Sequence, residues 1–194
     1  MFNIQKPLNK GIMLFDLSPQ IVPPFLEPTL DVKVTKNFTR QEWKDSIKLT
    51  SDQWEGTTKI PLHKNLPLIT QLVRDHYKKA VYIGSSFRSV EHEYTRNRKG
   101  TSQHTKGLAV DLNGDKNNNA KKVSDFKKFI VKAVEEKSPL YHALVKLGVN
   151  TFIFYDWGVH MDLRTWDDGK VHTWHDKKKS DFRSEERRVG KECR

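Results

Sequence analysis

Cysteine is almost absent from this chain of 194 residues, which carries a single one, Cys193, next to its C-terminal end. One cysteine cannot close a disulfide within the chain, so neither a disulfide-stabilised scaffold nor a multi-cysteine zinc site is expected.

Long hydrophobic runs are also missing. No apolar stretch approaches the roughly 20 residues that a membrane-spanning helix needs, so no membrane insertion is expected. The short apolar segment at 11–15 ends at Asp16 without a small-residue cleavage site, so no signal peptide is predicted and synthesis in the cytoplasm is expected.

The last part of the chain, residues 183–194, differs in character from the rest. It has no apolar periodicity and resembles the translation of a sequencing-adapter oligonucleotide rather than evolved protein sequence. Setting it aside removes Cys193 and lowers the formal net charge from +11 to +9. A positive excess of this size favours an acidic partner, such as the anionic bacterial cell wall or nucleic acid. Because the basic residues are scattered and form no helical stripe, no specific nucleic-acid partner is predicted.

The remaining chain divides into two parts. Residues 1–33 contain most of the prolines and no sustained periodicity, and they are predicted to form an extended N-terminal arm. Residues 34–182 are predicted to form one domain, because the 5 Trp, 10 Phe and 5 Tyr of the chain are enough to anchor a packed core.

Local patterns within residues 34–182 predict a mixture of helices and strands. Thr39 and Glu42 have the spacing of a capping box, which predicts a helix over about 40–49. Further helices are predicted from Pro67, after Ser124 as N-cap, and over 138–148; strands are predicted at 80–83, 108–112, 151–155 and 159–163. This order predicts an α+β fold with a small, mainly antiparallel sheet and flanking helices.

The segment 102–111 carries the most informative polar residues. His104 precedes a tight turn at Gly107, and Asp111 lies on the predicted strand beyond that turn. Because side chains alternate along a strand, Asp111 shares a face with the small Ala109, while the apolar residues between and beside them face the other way. The Asp111 carboxylate is therefore predicted to point into a cleft.

A second polar cluster lies at 155–164. Strand alternation places His160, Asp162 and Arg164 on one face, and Asp156 joins that face if the chain stays extended. Two histidines and one carboxylate on adjacent strands suit a catalytic zinc, which keeps one position open for water and lowers the pKa of that water to about 7. From the residues alone, a polar sheet edge in which Asp162 pairs with Arg164 is an alternative.

The pattern S-x-H-x-x-G-x-A-x-D at 102–111, followed by V-H-M-D-L-R at 159–164, resembles a known family. It is similar to the zinc D-Ala-D-Ala carboxypeptidases and the phage L-alanyl-D-glutamate endopeptidases. Upstream, the sequences at 74–77 and 81–89 are similar to the helix and the SGFRS strand end of that family. The resemblance covers about 34–165 and implies the Hedgehog/DD-peptidase fold.

The resemblance also implies roles for individual residues. His104, Asp111 and His160 match the zinc ligands, so Zn²⁺ is the implied cofactor. Arg88 matches the arginine that contacts a substrate carboxylate or the oxyanion, and a guanidinium fork suits that contact. A structural salt bridge is the alternative for Arg88.

A carboxylate must also take the proton from the attacking water and pass it to the leaving amine. Asp156, four residues before His160, is assigned this role, and Asp162 is the alternative. A role in orienting its neighbours suits Asp162 better.

Some positions depart from the family pattern. Ser86 replaces a glycine, Glu93 replaces an asparagine, and Gly158 replaces a bulky aromatic residue, which raises the expectation of a bulge in the last strand. His172 and His175 lie in a polar tail, where exposed side chains are expected.

The resemblance implies a zinc metallopeptidase that hydrolyses peptidoglycan stem peptides, as a D,D-carboxypeptidase or an endopeptidase. A peptidoglycan peptide is the expected substrate, and a monomer is expected. Because no export signal is found, the protein is expected to act on the cell wall as a phage lysis enzyme or a virion-associated hydrolase. The alternative is a non-catalytic, zinc-stabilised module that binds the cell wall or forms part of a virion.

Overall fold

The computed structural model describes residues 12–16, 34–50, 53 and 59–175. Most of the predicted N-terminal arm and all of residues 183–194 lie outside these ranges. Within the described part of the arm, strand β1 (Ile12–Asp16) pairs antiparallel with strand β2 (Lys59–His63). Among the described residues, no helix is both long and apolar enough to span a bilayer.

The described domain contains both helices and strands. The helices are α1 (Arg40–Ser46), α2 (Asn65–Tyr77), α3 (Val90–Thr95), α4 (Ala120–Glu135) and α5 (Pro139–Lys146). A short 3-10 helix spans Gln103–Lys106. The strands after β2 are β3 (Tyr82–Ser85), β4 (Ala109–Asn113), β5 (Thr151–Phe154), β6 (Val159–Asp162) and β7 (His172–His175).

The main sheet has five strands in the order β3-β4-β6-β5-β7. All neighbouring pairs are antiparallel except β5 and β7, which run parallel. The predicted α+β fold with a mainly antiparallel sheet and flanking helices is therefore confirmed. The parallel edge strand β7 had no counterpart among the predicted strands.

Helix starts depend on the capping residues that precede them. At α1 the predicted capping box is complete: Glu42 donates its backbone N–H to Thr39 Oγ1 at 3.2 Å, and the Thr39 N–H reaches the Glu42 carboxylate at 2.7 Å. At α4 the predicted cap is wrong. Asn119, not Ser124, accepts the capping bond, from Lys122 N–H at 3.2 Å, and the helix begins one turn earlier because its first residues are polar and hide the apolar period.

The two faces of the sheet have opposite chemistry. On one face, Val110, Leu112, Val159 and Met161 are fully buried. They belong to the core cluster that also includes helix residues such as Phe126. On the other face, β4 and β6 align Asp111 with His160 and Ala109 with Asp162. Paired residues of antiparallel strands project on the same side, so this register gathers the polar side chains of both predicted motifs into one patch.

Candidate metal centre

Two histidines and one aspartate converge on the polar face of the sheet. His160 Nδ1 lies 2.7 Å from Asp111 Oδ1. His104 Nε2 lies 3.1 Å from that oxygen and 3.1 Å from His160 Nδ1. All three residues are buried, and one ligand atom from each lies within 4.8 Å of the others, so that the group could hold a metal ion. The residues that the two sequence motifs singled out are thus brought together.

The backbone turn between His104 and Asp111 sets the distance between these two residues. Ser102 caps the 3-10 helix by accepting the His104 N–H at 3.3 Å. Gly107 then ends that helix with φ of +67°, a conformation that glycine adopts without steric cost. The chain can therefore reverse at once into β4, which carries Asp111.

Each histidine has its outer ring nitrogen beside an acceptor. His104 Nδ1 lies 2.5 Å from the Ser86 carbonyl oxygen, and His160 Nε2 lies 3.0 Å from Asp162 Oδ2. If each outer nitrogen donates its N–H to that acceptor, each inner nitrogen keeps a free lone pair that faces the cluster. This is how metal-ligating histidines are usually oriented in proteins.

Ser86 and Asp162 are themselves held firmly. The Ser86 hydroxyl, fully buried, lies 2.6 Å from the hydroxyl of Ser46 at the end of α1. Asp162 accepts hydrogen bonds from Arg164 Nη2 at 2.6 Å and Nε at 2.9 Å. The departure from the family at Ser86 thus adds a link between α1 and the strand end beside His104.

The buried charges shift one another's pKa. Burial raises the pKa of Asp111, but His104 and His160 together outweigh it and hold this pKa far below its ordinary value. Burial lowers the pKa of His104, and the nearby Asp111 offsets this only in part. Burial also lowers the pKa of His160, yet hydrogen bonds to Asp111 and Asp162 raise it to about 8. The cluster therefore offers an ionised carboxylate and a neutral His104, while His160 would release a proton on ligating a metal.

The donor set fits zinc. Two imidazole nitrogens and one carboxylate oxygen are a usual ligand set of catalytic zinc, and a tetrahedral ion holds its ligand atoms roughly 3.3 Å apart. The three atoms here lie 2.7 to 3.1 Å from one another, so small side-chain adjustments would accommodate the ion. The group contains no thiolate ligand. Because imidazole and carboxylate ligands also bind other divalent metals, the ligand types alone do not select zinc.

Arg88 lies next to this cluster. Its Nη2 lies 3.4 Å from Asp111 Oδ2, and its Nη1 lies 3.3 Å from Glu93 Oε1. Its side chain is 14% exposed, so it is largely buried beside the cluster. Arg88 therefore forms the salt bridges that were its alternative role, one with Glu93 and one with the candidate metal ligand Asp111.

Asp156 is not brought to the cluster by an extended strand. β5 and β6 are joined by a tight turn in which Tyr155 N–H donates to Gly158 O at 2.9 Å. Asp156 lies in this turn with its side chain 94% exposed, and its Oδ1 lies 3.3 Å from Lys127 Nζ. The extended geometry that would have aligned Asp156 with His160 is therefore not formed, and its role in proton transfer stays a prediction.

Asp162, the alternative proton acceptor, is fully buried next to His160. Burial raises its pKa, but hydrogen bonds from His160 and Arg164 outweigh this and lower it to about 2. The pairing of Asp162 with Arg164 that the sequence suggested is formed, together with the contact to His160. Asp162 is placed to orient His160 rather than to exchange protons with a substrate.

The strand before His160 is regular. β6 pairs with β4 and with β5 without a shift, and the irregular register lies in β3 between Ile83 and Ser85. The bulge expected near Gly158 is therefore not observed. A Cβ atom on Gly158 would lie 2.4 Å from the Leu112 carbonyl oxygen, so a bulky aromatic residue does not fit this backbone.

Several contacts of the site have no signal in the sequence. The Ser86 carbonyl and the partners of Glu93 come from long-range packing, which no local pattern reports. His172 and His175 lie on the edge strand β7, where His175 is exposed as expected and His172 is half-buried. The His172 ring lies 4.4 Å from the ring of Trp166, centroid to centroid.

Comparison with known proteins identifies the family of this chain. A family model described as Peptidase M15 matches residues 36–136, slightly more than half of the chain. No curated protein and no solved structure matches it. The matched range contains Arg88, His104 and Asp111, and the fold adds His160 to them from β6. This chain therefore belongs to the peptidase M15 family, and it is a peptidase of the M15 type.

Proposed function

We propose that this protein is a zinc metallopeptidase that hydrolyses the stem peptides of peptidoglycan. The observation that carries the proposal is the orientation of the two buried histidines. Their outer nitrogens lie beside the Ser86 carbonyl and the Asp162 carboxylate, and their inner nitrogens converge with Asp111 Oδ1. Without a metal, a protonated His160 bridges Asp111 and Asp162; loss of its Nδ1 proton leaves three ligand atoms directed at a common point, which supports a metal site.

Zinc bound by His104, Asp111 and His160 would supply a Lewis acid that activates water and polarises the scissile carbonyl. The protein's own residues have separate tasks. Ser86 and Asp162 keep the imidazoles in position, which is the usual task of the groups behind metal ligands. Arg88, permanently charged and adjacent to Asp111, is suited to stabilise negative charge that develops on the substrate oxygen.

The proton from water must reach the leaving amine. We assign this transfer to Asp156, which is exposed in the turn immediately before β6. The support is indirect: both oxygens of Asp162 already accept hydrogen bonds from Arg164 or lie beside His160. The exposed carboxylate of Asp156, by contrast, pairs with Lys127 Nζ at 3.3 Å, and its other oxygen lies open to solvent.

The net charge of +9 without residues 183–194 supports a proposed site of action on the anionic cell wall. A phage lysis enzyme or a virion-associated hydrolase is the setting that we propose, with the protein acting as a monomer.

The test is hydrolysis of purified peptidoglycan by the wild type and by His160→Ala, each with and without a chelator. His142→Ala is a matched control, because His142 is an exposed histidine on α5. We expect release of peptide fragments by the wild type and the control, loss of release with chelator or His160→Ala, and recovery on adding zinc to the chelated wild type. Binding to peptidoglycan without metal-dependent cleavage would refute the proposal and favour a non-catalytic wall-binding module.

A further inference from the structure

Gly84, on strand β3, is the one glycine among the described residues that the backbone does not require. The others either adopt a left-handed φ or leave no room for a Cβ atom: Gly100, Gly107, Gly114, Gly148, Gly158 and Gly169. At Gly84 the backbone is outside the left-handed region, and a Cβ atom would meet its nearest neighbours at 3.6 and 3.9 Å, which are ordinary van der Waals distances. Because glycine within a strand costs stability relative to alanine, the fold gives no reason for glycine at this position.

Gly84 lies directly beside the candidate ligand Asp111. Ile83 pairs with Leu112 and Ser85 pairs with Asp111, so Gly84 is the extra residue of a β-bulge. A Cβ atom on Gly84 would lie 3.9 Å from the Asp111 Cβ atom, closer than the Cβ atoms of opposed residues on one face of a sheet usually lie. A side chain at position 84 would therefore project from the same face as the Asp111 carboxylate. Bulges are frequent next to active sites, where they change the direction of a strand.

The surface at Gly84 is open next to a nearly buried centre. Gly84 is exposed, whereas His104 is fully buried and Asp111 and His160 each keep 7% of the side chain exposed. The strand order β3-β4-β6 places Gly84, Asp111 and His160 next to one another across the sheet, with Gly84 at the outer edge. The missing side chain thus leaves free space at the edge of the candidate metal centre.

We infer that Gly84 is a specificity-determining residue, whose lack of a side chain keeps the approach to the metal centre open and lets the main chain of a peptide substrate lie against β3 beside Asp111. A glycine inside a strand often marks a place where a ligand or another backbone approaches closely. An added side chain would fill this space without displacing the ligands, since its Cβ atom meets nothing closer than 3.6 Å. The inference rests on the proposed function and concerns access to the same site.

The first test is a size series at this position, Gly84→Ala and Gly84→Leu. We expect both variants to keep a zinc Kd within about twofold of the wild type, and Gly84→Ala to have an equal or higher urea midpoint, because alanine suits a strand better than glycine. On peptidoglycan peptides kcat/KM should fall in Gly84→Ala and should fall by at least about 100-fold in Gly84→Leu, which obstructs placement of the scissile bond.

Thr173→Leu is the control for adding an exposed apolar side chain to the same sheet. Thr173 is exposed on β7, and it pairs with the buried core residue Phe152, so it lies on the face opposite to His160. This variant should keep the wild-type kcat/KM. Equal kcat/KM in Gly84→Leu and Thr173→Leu would overturn the inference, and so would a loss of zinc affinity that parallels the loss of kcat/KM, because altered ligands would then explain it.

A second measurement does not depend on turnover. The chelator dipicolinate removes zinc from an accessible site at a rate that rises with chelator concentration, because it must first reach the bound ion. We expect this second-order rate constant to be severalfold lower in Gly84→Leu than in the wild type and in Thr173→Leu. Equal constants, or a wild-type rate that does not depend on chelator concentration, would refute the open approach at Gly84 even if hydrolysis is confirmed. If the wild type cleaves no peptidoglycan peptide, the proposed function itself fails, while the chelator kinetics still test the role of Gly84.

Discussion

The turn at Gly107 is predicted to be the position where a single methyl group harms both folding and metal binding. Gly107 lies three residues after His104 and four before Asp111, and its φ is +67°. A Cβ atom there would lie 2.0 Å from the Pro61 carbonyl oxygen and 2.8 Å from its carbonyl carbon. Both atoms belong to the backbone of β2, so Gly107→Ala can be accommodated only by moving one segment away from the other.

The magnitude follows from two separate terms. A left-handed conformation costs a residue with a Cβ atom roughly 1–2 kcal/mol, part of which is offset because alanine restricts the unfolded chain. Forcing an extra carbon into a packed site costs a further 1–3 kcal/mol or so. We therefore expect Gly107→Ala to lower the free energy of unfolding by about 2–4 kcal/mol.

Gly169 offers a matched control for the first term. Its φ is +64°, and a Cβ atom there would meet nothing within 4 Å. Gly169→Ala should therefore cost only about 1 kcal/mol, and the difference between the two variants measures the contact with Pro61.

Urea denaturation followed by circular dichroism, on chelated protein, gives both free energies of unfolding. Titration with zinc should then show an affinity at least about tenfold weaker in Gly107→Ala than in Gly169→Ala, because His104 and Asp111 flank the altered turn. Equal losses of stability in the two variants would show that the close approach of β2 to the turn does not constrain it. Unchanged zinc affinity in Gly107→Ala would refute the link between the turn and the metal centre.

Three further outcomes are expected. Asp162→Asn should weaken zinc affinity by about 10- to 100-fold through loss of the anionic acceptor behind His160, measured by competition with a chromogenic chelator; unchanged affinity would contradict this role. Asp156→Asn should lower kcat on peptidoglycan peptides by at least about 100-fold while bound zinc stays at the wild-type level, and an unchanged kcat would remove Asp156 from the mechanism. Zinc at 1,000 times its Kd should raise the free energy of unfolding by about 4 kcal/mol, and His160→Ala should abolish the increase; an equal increase in that variant would place the metal elsewhere.

The convergence of His104, Asp111 and His160 was predictable because the segments that carry them have local signals. Asp111 lies on a strand whose alternation separates it from its apolar neighbours, and His160 lies on another strand of the same kind. Their strands are neighbours in an antiparallel sheet, so the register that buries the apolar sides also aligns the two polar residues. The convergence is thus a consequence of hydrophobic patterning.

Other features had no such signal. β7 contains two histidines and is largely polar, so it lacks the apolar alternation that marks a strand and depends on pairing with β5. β2 carries Pro61 in its centre, which argues against a strand from sequence although pairing with β1 forms one there. The position of Asp156 depends on where a tight turn begins, and a shift of one or two residues changes which way a side chain points. The pairing of Glu93 with Arg98 needs the loop after α3 to fold back, which spacing alone does not reveal.

The pairing of β4 with β6 also connects the two halves of the chain. His160 and Asp111 are 49 positions apart, and the family match at 36–136 ends before the hairpin that supplies His160. A fragment that ends at residue 136 would hold two of the three ligands and could bind zinc only weakly, whereas a second fragment containing β5 and β6 would bring the third. Adding zinc should therefore promote reassembly of the two fragments, since the ion gains its full ligand set only when the hairpin is in place. Zinc binding by the mixed fragments would then indicate that the sheet has assembled, without any measurement of substrate cleavage.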